Sequence, residues 1–245
     1  MNIAILGISG YEGHFMAKEA ALRNHNIIGI SRHASSYHDY ACEMKLYDAS
    51  GSDYVAMKKI LKDEKVDVVM SVYPPDVQHP WTFTSDMQSL VNACKECNVK
   101  ELIMMMGGSA NDGRWGENPH KYARFGQQIT VGGSYYENIY YAYKGVFEPE
   151  KDLHWVVFTP NHLIKYQERT GQYIYKIGGQ GGIYYDEHSQ LVTDQAAINY
   201  WDFAVAMFDE AENPREEFRQ QRVSLGWPKE VAEEITKKIP VMVNK

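Results

Sequence analysis

The sequence predicts an α/β fold: a doubly wound parallel sheet, helices on both faces, and a small C-terminal substrate-side subregion. Two patterns support this prediction: short, wholly apolar runs of strand length, and longer runs between them whose apolar residues recur at helical spacing. The two alternate along residues 1–158, as they do in parallel sheets covered by helices. Hydrophobic residues make up 44% and charged residues 23% of the 245 residues, a globular balance.

Each element of this alternation follows from its local pattern. The run 3–6 is apolar throughout and ends at Gly7, as expected of a strand buried on both faces. Similar runs predict strands over 3–6, 26–31, 43–47, 66–72, 101–106 and 153–158. Helical spacing predicts helices over 11–23, 54–61, 81–97 and 134–147. Right-handed crossovers then place the carboxyl ends of strands one, four and five along one edge, where such sheets bind ligands.

The second half of the chain is less regular. Residues 112–133 are polar and glycine-rich, and we interpret them as an insertion or loop. Short strands are predicted over 173–177 and 182–185, around a glycine turn at 178–182, and a last strand over 222–225. Asn199 is a suitable N-cap for a helix over 199–211, and Pro228 opens a charged helix that ends before Pro240.

We predict one domain over 1–245, because no linker divides the chain. It comprises a cofactor-binding core (1–158), substrate-side elements (159–227) and an extra C-terminal helix (228–245). The net charge of −7 disfavours binding to nucleic acid or to an anionic membrane. The sequence has three cysteines, no apolar run of membrane-spanning length and no signal-peptide pattern, which predicts a cytoplasmic protein. Cys94 and Cys97 lack a second pair, so we predict no metal site.

The strongest chemical signal is the glycine-rich turn after the first strand, Gly7-Ile8-Ser9-Gly10-Tyr11-Glu12-Gly13. It follows a buried strand and opens a helix, the context that a dinucleotide fingerprint requires. Gly7 permits the tight turn, Gly10 lets the backbone approach a diphosphate, and Gly13 lets the helix pack closely on the sheet. Ser9 and the amides near Tyr11 and Glu12 would then face the phosphates. The alternative is that these glycines only end a strand and begin a helix.

The end of the second strand favours NADP, with NADPH preferred over NADH. An acid at this position normally binds the adenosine ribose of NAD, but here the strand ends at Ser31-Arg32. Arg32 can pair with a 2′-phosphate and Ser31 can donate to it, whereas the alternative leaves Arg32 as a solvated surface residue. Further cofactor contacts are expected at the ends of later strands, from Asp48, Ser71, Val72, Gly107 and Gly108. Asp48 could equally be a turn residue.

Together these residues resemble the NmrA-like, NAD(P)H-binding group of atypical short-chain dehydrogenase/reductases, and within it the NADH-flavin reductases. The resemblance covers residues 1 to about 227. Its carriers are the segments 7–13, 66–72, 102–109, 152–160, 168–173 with its Arg169-Thr170-Gly171 turn, and 200–214. It implies a Rossmann-type fold and NAD(P)H-dependent reduction of a small molecule. The insertion 112–133 and the tail 228–245 depart from the family pattern, which leaves substrate size and the choice between monomer and homodimer open.

The sequence leaves three alternatives for the function. The first is direct hydride transfer from NADPH to a flavin, quinone or similar conjugated ring, with FMN or FAD as substrate and not as prosthetic group. The second is a non-catalytic NADP-binding sensor that regulates a partner. The third is a dehydrogenase or epimerase on a carbonyl or sugar-like substrate that uses a Tyr-x-x-x-Lys pair, Tyr140 and Lys144, with Ser109.

The spacing of that pair is a weak signal, because Tyr54 and Lys58 share it where no chemistry is expected. The flavin-reductase-like relatives also do without the motif. For the substrate, we expect the loop of Pro160, Asn161 and His162 to cover the nicotinamide, although a solvated loop histidine is the simpler interpretation of His162.

Overall fold

The computed structural model describes residues 1–36, 38, 41–107, 135–160, 163–178 and 197–238. Several predictions lie outside these ranges: the insertion 112–133, the strand 182–185, most of the turn 178–182, and the site residues Gly108, Ser109, Asn161 and His162. Within these ranges, none of the helices combines the length and the apolar character needed to cross a membrane.

The strands are β1 Asn2–Leu6, β2 Asn26–Ser31, β3 Lys45–Asp48, β4 Val68–Ser71, β5 Glu101–Met105, β6 Trp155–Pro160, β7 Leu163–Ile164, β8 Ile174–Ile177, β9 Ile198–Asn199 and β10 Gln221–Gly226. Eight of them form one sheet in the order β3-β2-β1-β4-β5-β6-β10-β8. Neighbouring strands pair in parallel except β8, which is antiparallel to β10. This arrangement confirms the Rossmann-type parallel sheet, and the strand order reverses between β1 and β4, where such folds bind ligands.

The helices are α1 Tyr11–Ala20, α2 Tyr54–Asp63, α3 Phe83–Glu96, α4 Tyr135–Ala142, α5 Tyr200–Glu212 and α6 Lys229–Lys238. The predicted helix 134–147 consists of α4 and a π-helical turn, Tyr143–Phe147. The predicted N-cap of α5 is confirmed, because the Asn199 side chain accepts a hydrogen bond from the backbone N–H of Asp202 at 2.7 Å. The pairing of β7 with β9 was not predicted; each has only two residues, too few for a periodic signal.

The central strands of the sheet are buried on both faces, which explains why β1 is apolar from Ile3 to Leu6. Ile3 and Ile5 of β1 belong to the core that contains residues of α1, α5 and α6. Ala4 and Leu6 of the same strand belong to the core under α2, α3 and α4. Since successive side chains of a strand point to opposite faces, a strand covered on both sides is apolar at most of its positions.

Candidate functional site

The turn between β1 and α1 has a backbone path that depends on its glycines. Gly7 has a φ of +94°, and a Cβ there would lie 3.1 Å from the backbone carbonyl carbon and oxygen of Val72. The Gly7 N–H donates to the Ile30 carbonyl at 2.8 Å, and the Gly10 N–H donates to the Gly7 carbonyl at 3.0 Å. A Cβ on Gly13 would lie 2.2 Å from the Ile8 carbonyl oxygen. Strand β1 and helix α1 therefore meet at a separation that only these glycines allow.

Helix α1 begins with free donors. Its N-cap is Gly10, which has no side chain to accept them, and the first helical hydrogen bond runs from the His14 N–H to the Gly10 carbonyl at 3.0 Å. The backbone N–H groups of residues 11–13, in the first turn of the helix, consequently have no acceptor within the helix. Such amides, together with the helix dipole, suit the diphosphate of a dinucleotide.

A cleft of about 570 Å³ lies at this edge of the sheet, between the loops that follow β1, β2 and β4. It brings together many of the predicted cofactor residues: Gly7, Ser9, Gly10, Glu12, Ser31, Arg32 and Val72. Tyr11 and Gly13 do not line it; they belong to the adjoining first turn of α1. The position agrees with the edge expected from the topology.

Two residues that line the cleft at the end of β2 carry polar groups without strong partners. Ser31 is only 8% exposed, and its hydroxyl oxygen is buried without a hydrogen-bond partner among the described residues. The Arg32 side chain is 67% exposed, and its Nη1 lies 3.8 Å from Oδ2 of Asp76 on the opposite side. A buried hydroxyl without a partner is costly unless a ligand satisfies it, so this end of the cleft fits a hydrogen-bonding ligand group.

Three further predicted cofactor residues, besides Tyr11 and Gly13, are not among those that line the cleft. Asp48 accepts hydrogen bonds from the backbone N–H of Ser35 at 2.8 Å and from its hydroxyl, which lower the pKa of Asp48. These bonds tie the Asp48 carboxylate to the turn after β2. Ser71 is fully buried at the end of β4, and Gly107 lies just beyond β5.

The predicted substrate residue Pro160 is buried at the end of β6, where it pairs with Leu225 of β10. Its neighbours Asn161 and His162 are outside the described residues.

One part of the cleft was not predicted: the loop after β4, Tyr73 to Gln78. The Tyr73 hydroxyl donates to Oδ2 of Asp86 at 3.3 Å, and burial raises the pKa of that carboxyl. Asp76 accepts from the backbone N–H groups of Gln78 at 2.8 Å and His79 at 2.9 Å, which lower its pKa. This loop could have been predicted from its position, because it follows a strand at the point where the strand order reverses. Its composition gives no such indication.

Two members of the predicted catalytic set, Tyr140 and Lys144, lie among the described residues. Lys144 lies in the π-helical turn, and its Nζ is 2.6 Å from Oε1 of Glu148. This contact raises the pKa of Lys144. The ammonium is thus paired with an exposed carboxylate one turn later. Tyr140 lies one turn earlier, in α4, and Ser109 is outside the described residues.

The segment that follows β7 is attached to α1 and α5. The Asp202 carboxylate in α5 accepts hydrogen bonds from the backbone N–H groups of Thr170, at 2.9 Å, and Gly171, at 2.7 Å, and from the Trp227 indole at 2.6 Å. Arg169 pairs with the fully buried Glu19 of α1 at 2.8 Å. The Arg-Thr-Gly turn therefore fixes the substrate-side segment to the core. In the described ranges, no group of histidine, cysteine and acidic residues could hold a metal ion.

Comparison with known proteins agrees with this geometry. A family described as NAD(P)H-binding matches residues 7–189. A UDP-glucose 4-epimerase from Lactobacillus helveticus is 26% identical over 113 residues, 42% of this chain and 34% of that protein. The chain thus spans about a third of the length of this curated relative.

Solved structures show the same fold. A protein from Burkholderia pseudomallei described as exported is 25% identical, with a TM-score of 0.65, over 93% of this chain and all (100%) of that one. An epimerase-like protein from Bacteroides thetaiotaomicron is 22% identical, with a TM-score of 0.68, over 92% and 96% of the two chains. A protein from Streptococcus pneumoniae described as an NADH-flavin reductase is 17% identical, with a TM-score of 0.67, over 93% and 100%. With the family match spanning the glycine-rich turn and most of the sheet, this chain belongs to the NAD(P)H-binding family.

Proposed function

We propose that the protein is an oxidoreductase that uses NADPH to reduce a flavin, a quinone or a similar conjugated small molecule. The observation that carries the cofactor choice is the end of β2, where the buried Ser31 hydroxyl lacks a partner beside the exposed Arg32 guanidinium. A 2′-phosphate would accept from both groups. Strand β2 itself ends at Ser31, which Arg32 follows, and lacks the acidic residue that normally accepts the ribose hydroxyls of NAD at this position.

The chain's own groups would bind and orient the dinucleotide. The first amides of α1 hold the diphosphate, Ser31 and Arg32 hold the adenosine end, and Val72 beside Gly7 forms part of the floor. When bound, the reduced nicotinamide supplies a hydride. An electron-poor ring stacked on it needs positioning more than acid catalysis, because solvent can supply the proton.

Arg32→Ala should separate the two cofactors. We expect the Kd for NADPH to rise about 10- to 100-fold, because a charge-assisted bond to phosphate is lost, while the Kd for NADH changes less than about twofold. Isothermal titration calorimetry at fixed salt measures both. Asp76→Asn is the matched control: it removes the carboxylate that competes for Arg32, so NADPH should bind more tightly. Equal losses for NADPH and NADH in Arg32→Ala would refute the NADP assignment.

Turnover is tested by following NADPH oxidation with FMN, FAD and quinones as acceptors. Oxidation that depends on the acceptor supports the proposal. Tight NADPH binding without turnover on any acceptor would favour the non-catalytic sensor instead.

A second candidate is a dehydrogenase or epimerase that uses Tyr140, and the partial match to a UDP-glucose 4-epimerase favours it. Tyr140→Phe removes the hydroxyl that would exchange the proton. If the hydride-transfer proposal is correct, kcat should change less than about twofold, since no protein acid takes part. A loss of about 100-fold or more in kcat, with the Kd for NADPH unchanged, would establish the second candidate. Tyr141→Phe on the same helix is the control.

A further inference from the structure

The segment after β7 places a lysine above the start of the phosphate-binding helix. Nζ of Lys165 lies 5.5 Å from the ring centroid of Tyr11, the first residue of α1. The Gln167 side chain donates to the Tyr11 hydroxyl at 3.0 Å. The Tyr11 ring also packs edge-on against Tyr200 of α5, with ring centroids 4.8 Å apart. The substrate-side segment and the glycine-rich turn are therefore in direct contact.

This segment is held on both sides of Lys165. Before it, β7 pairs with β9; after it, Thr170 and Gly171 bind the Asp202 carboxylate, and Arg169 binds Glu19. The backbone that carries Lys165 is consequently fixed above α1. Its long side chain remains exposed, and none of the salt bridges formed among the described residues includes it.

The cleft has few positive charges to bind the diphosphate at the start of α1. Among the described residues that line the cleft, Arg32 is the only lysine or arginine, and it stands at the end of β2. Glu12 lines the cleft at the glycine-rich turn, so a diphosphate there would meet a carboxylate on the same helical turn. Lys165 lies over the residue next to Glu12 and has a charge free to offset it.

We propose that Lys165 binds the diphosphate of the dinucleotide and offsets Glu12. This inference rests on the placement of the dinucleotide under Proposed function. An exposed cation over a tyrosine ring is weakly held, and a lysine stem is flexible, so the ammonium can leave the ring for a phosphate oxygen. The dinucleotide would then contact the segment that follows β7 as well as the glycine-rich turn.

The test compares ligands that contain or lack the diphosphate. We expect Lys165→Met to raise the Kd of ADP-ribose and of NADP⁺ about tenfold at low salt, and less at high salt. The Kd of 2′-AMP, which has no diphosphate, should not change. Lys165→Arg should restore binding, because it keeps the charge. Neither lysine is among the residues that line the cleft. Lys18→Met is the matched control, because its Nζ also lies over an aromatic ring, 3.7 Å from the Trp201 centroid, but in the last turn of α1, away from the diphosphate.

Three outcomes would overturn this inference. An unchanged Kd for ADP-ribose in Lys165→Met shows that the lysine does not contact the diphosphate. An equal loss for 2′-AMP shows a general distortion of the site. An unchanged Kd for ADP-ribose with a raised KM for FMN but not for riboflavin assigns Lys165 to the substrate phosphate. If the wild-type protein binds neither ADP-ribose nor NADP⁺, the placement of the dinucleotide itself fails, which is a distinct result.

Discussion

Gly13→Ala is expected to abolish dinucleotide binding and to destabilise the fold by about 3 kcal/mol or more. A Cβ at this position would lie 2.2 Å from the Ile8 oxygen, 2.4 Å from the Gly7 oxygen and 2.5 Å from the Ile8 carbonyl carbon. All three atoms belong to the backbone of the turn, so no side chain can move aside. Helix α1 would have to shift away from β1, and its first amides would move with it. Urea denaturation and calorimetry with NADP⁺ measure the two effects.

Other glycines provide a graded series of controls. A Cβ on Gly10 would lie 3.2 Å from the Gly7 oxygen, a contact that small shifts relieve. Gly10→Ala should therefore fold, yet lose about tenfold in affinity for NADP⁺, because the methyl group stands where the diphosphate approaches. A Cβ on Gly145, in the π-helical turn, meets only Thr84 Cγ2 at 3.9 Å, so Gly145→Ala should change neither property. Equal stability of Gly13→Ala and Gly145→Ala would contradict the close packing of α1.

The sheet and the glycine-rich turn were predictable because their causes are local. A strand covered on both faces must be apolar at successive positions, and Ile3 to Leu6 meet that demand within one short run. The positive φ of Gly7 and the short contacts at Gly13 are likewise requirements of the chain itself. Ser31 and Arg32 could be predicted as cofactor residues because the predicted second strand ends at them.

The remaining parts of the site depend on contacts between distant segments. Lys165 and Gln167 reach Tyr11 because residues distant in the chain, Asp202 of α5 among them, hold the segment that carries them. The loop after β4 lines the cleft through its position, and its residues have no distinctive spacing. Asp48 was found at the expected strand end, but the turn at Ser35 engages its carboxylate. A single sequence contains these residues without the contacts that select their roles.

The buried carboxyl of Glu101, at the start of β5, should make the stability of the protein depend on pH. Glu101 is 2% exposed, and neither carboxyl oxygen has a hydrogen-bond partner among the described residues. Nε2 of His154, which also lacks one, is 3.6 Å from Oε1 of Glu101. Burial, and next the nearby Glu210 carboxylate, raise the pKa of Glu101 to about 8.

The groups around Glu101 do not supply a compensating positive charge. Burial lowers the pKa of His154, and Arg219 lowers it further, against the opposing effect of Glu216. Burial also raises the pKa of Glu210, whose Oε1 accepts from the backbone N–H of Arg215 at 2.9 Å. The Arg215 guanidinium is no closer than 3.9 Å to Glu210. The cluster therefore favours a neutral Glu101.

The sign of the pH dependence follows from the raised pKa. Between the ordinary pKa of 4.5 and the folded value of about 8, the unfolded chain has lost a proton that the folded protein retains. The free energy of unfolding should then fall as the pH rises through this window, and level off above it. The difference in pKa sets an upper limit of about 5 kcal/mol, which water entering around an ionised group would reduce to about 2–3 kcal/mol.

Glu101→Gln should remove this dependence. The amide has nearly the same shape as the protonated carboxyl and no charge, so the variant should match the wild type near pH 4.5. It should exceed the wild type by about 2–3 kcal/mol at pH 8.5. Urea denaturation at a series of pH values measures the difference. Glu96→Gln is the control. Glu96 is an exposed carboxylate, and its pairing with Lys58 lowers the pKa of Glu96.

If Glu101→Gln is less stable than the wild type at every pH, the carboxyl is not neutral in the folded protein. Glu101 would then be ionised and bound to a protonated His154, a pair that the amide cannot form. His154→Gln distinguishes the two cases, since it destabilises strongly only if it removes the partner of a buried charge. With a neutral Glu101, a gain that grows from acid to alkaline pH is the expected signature, because only ionisation of the buried carboxyl costs the folded state free energy.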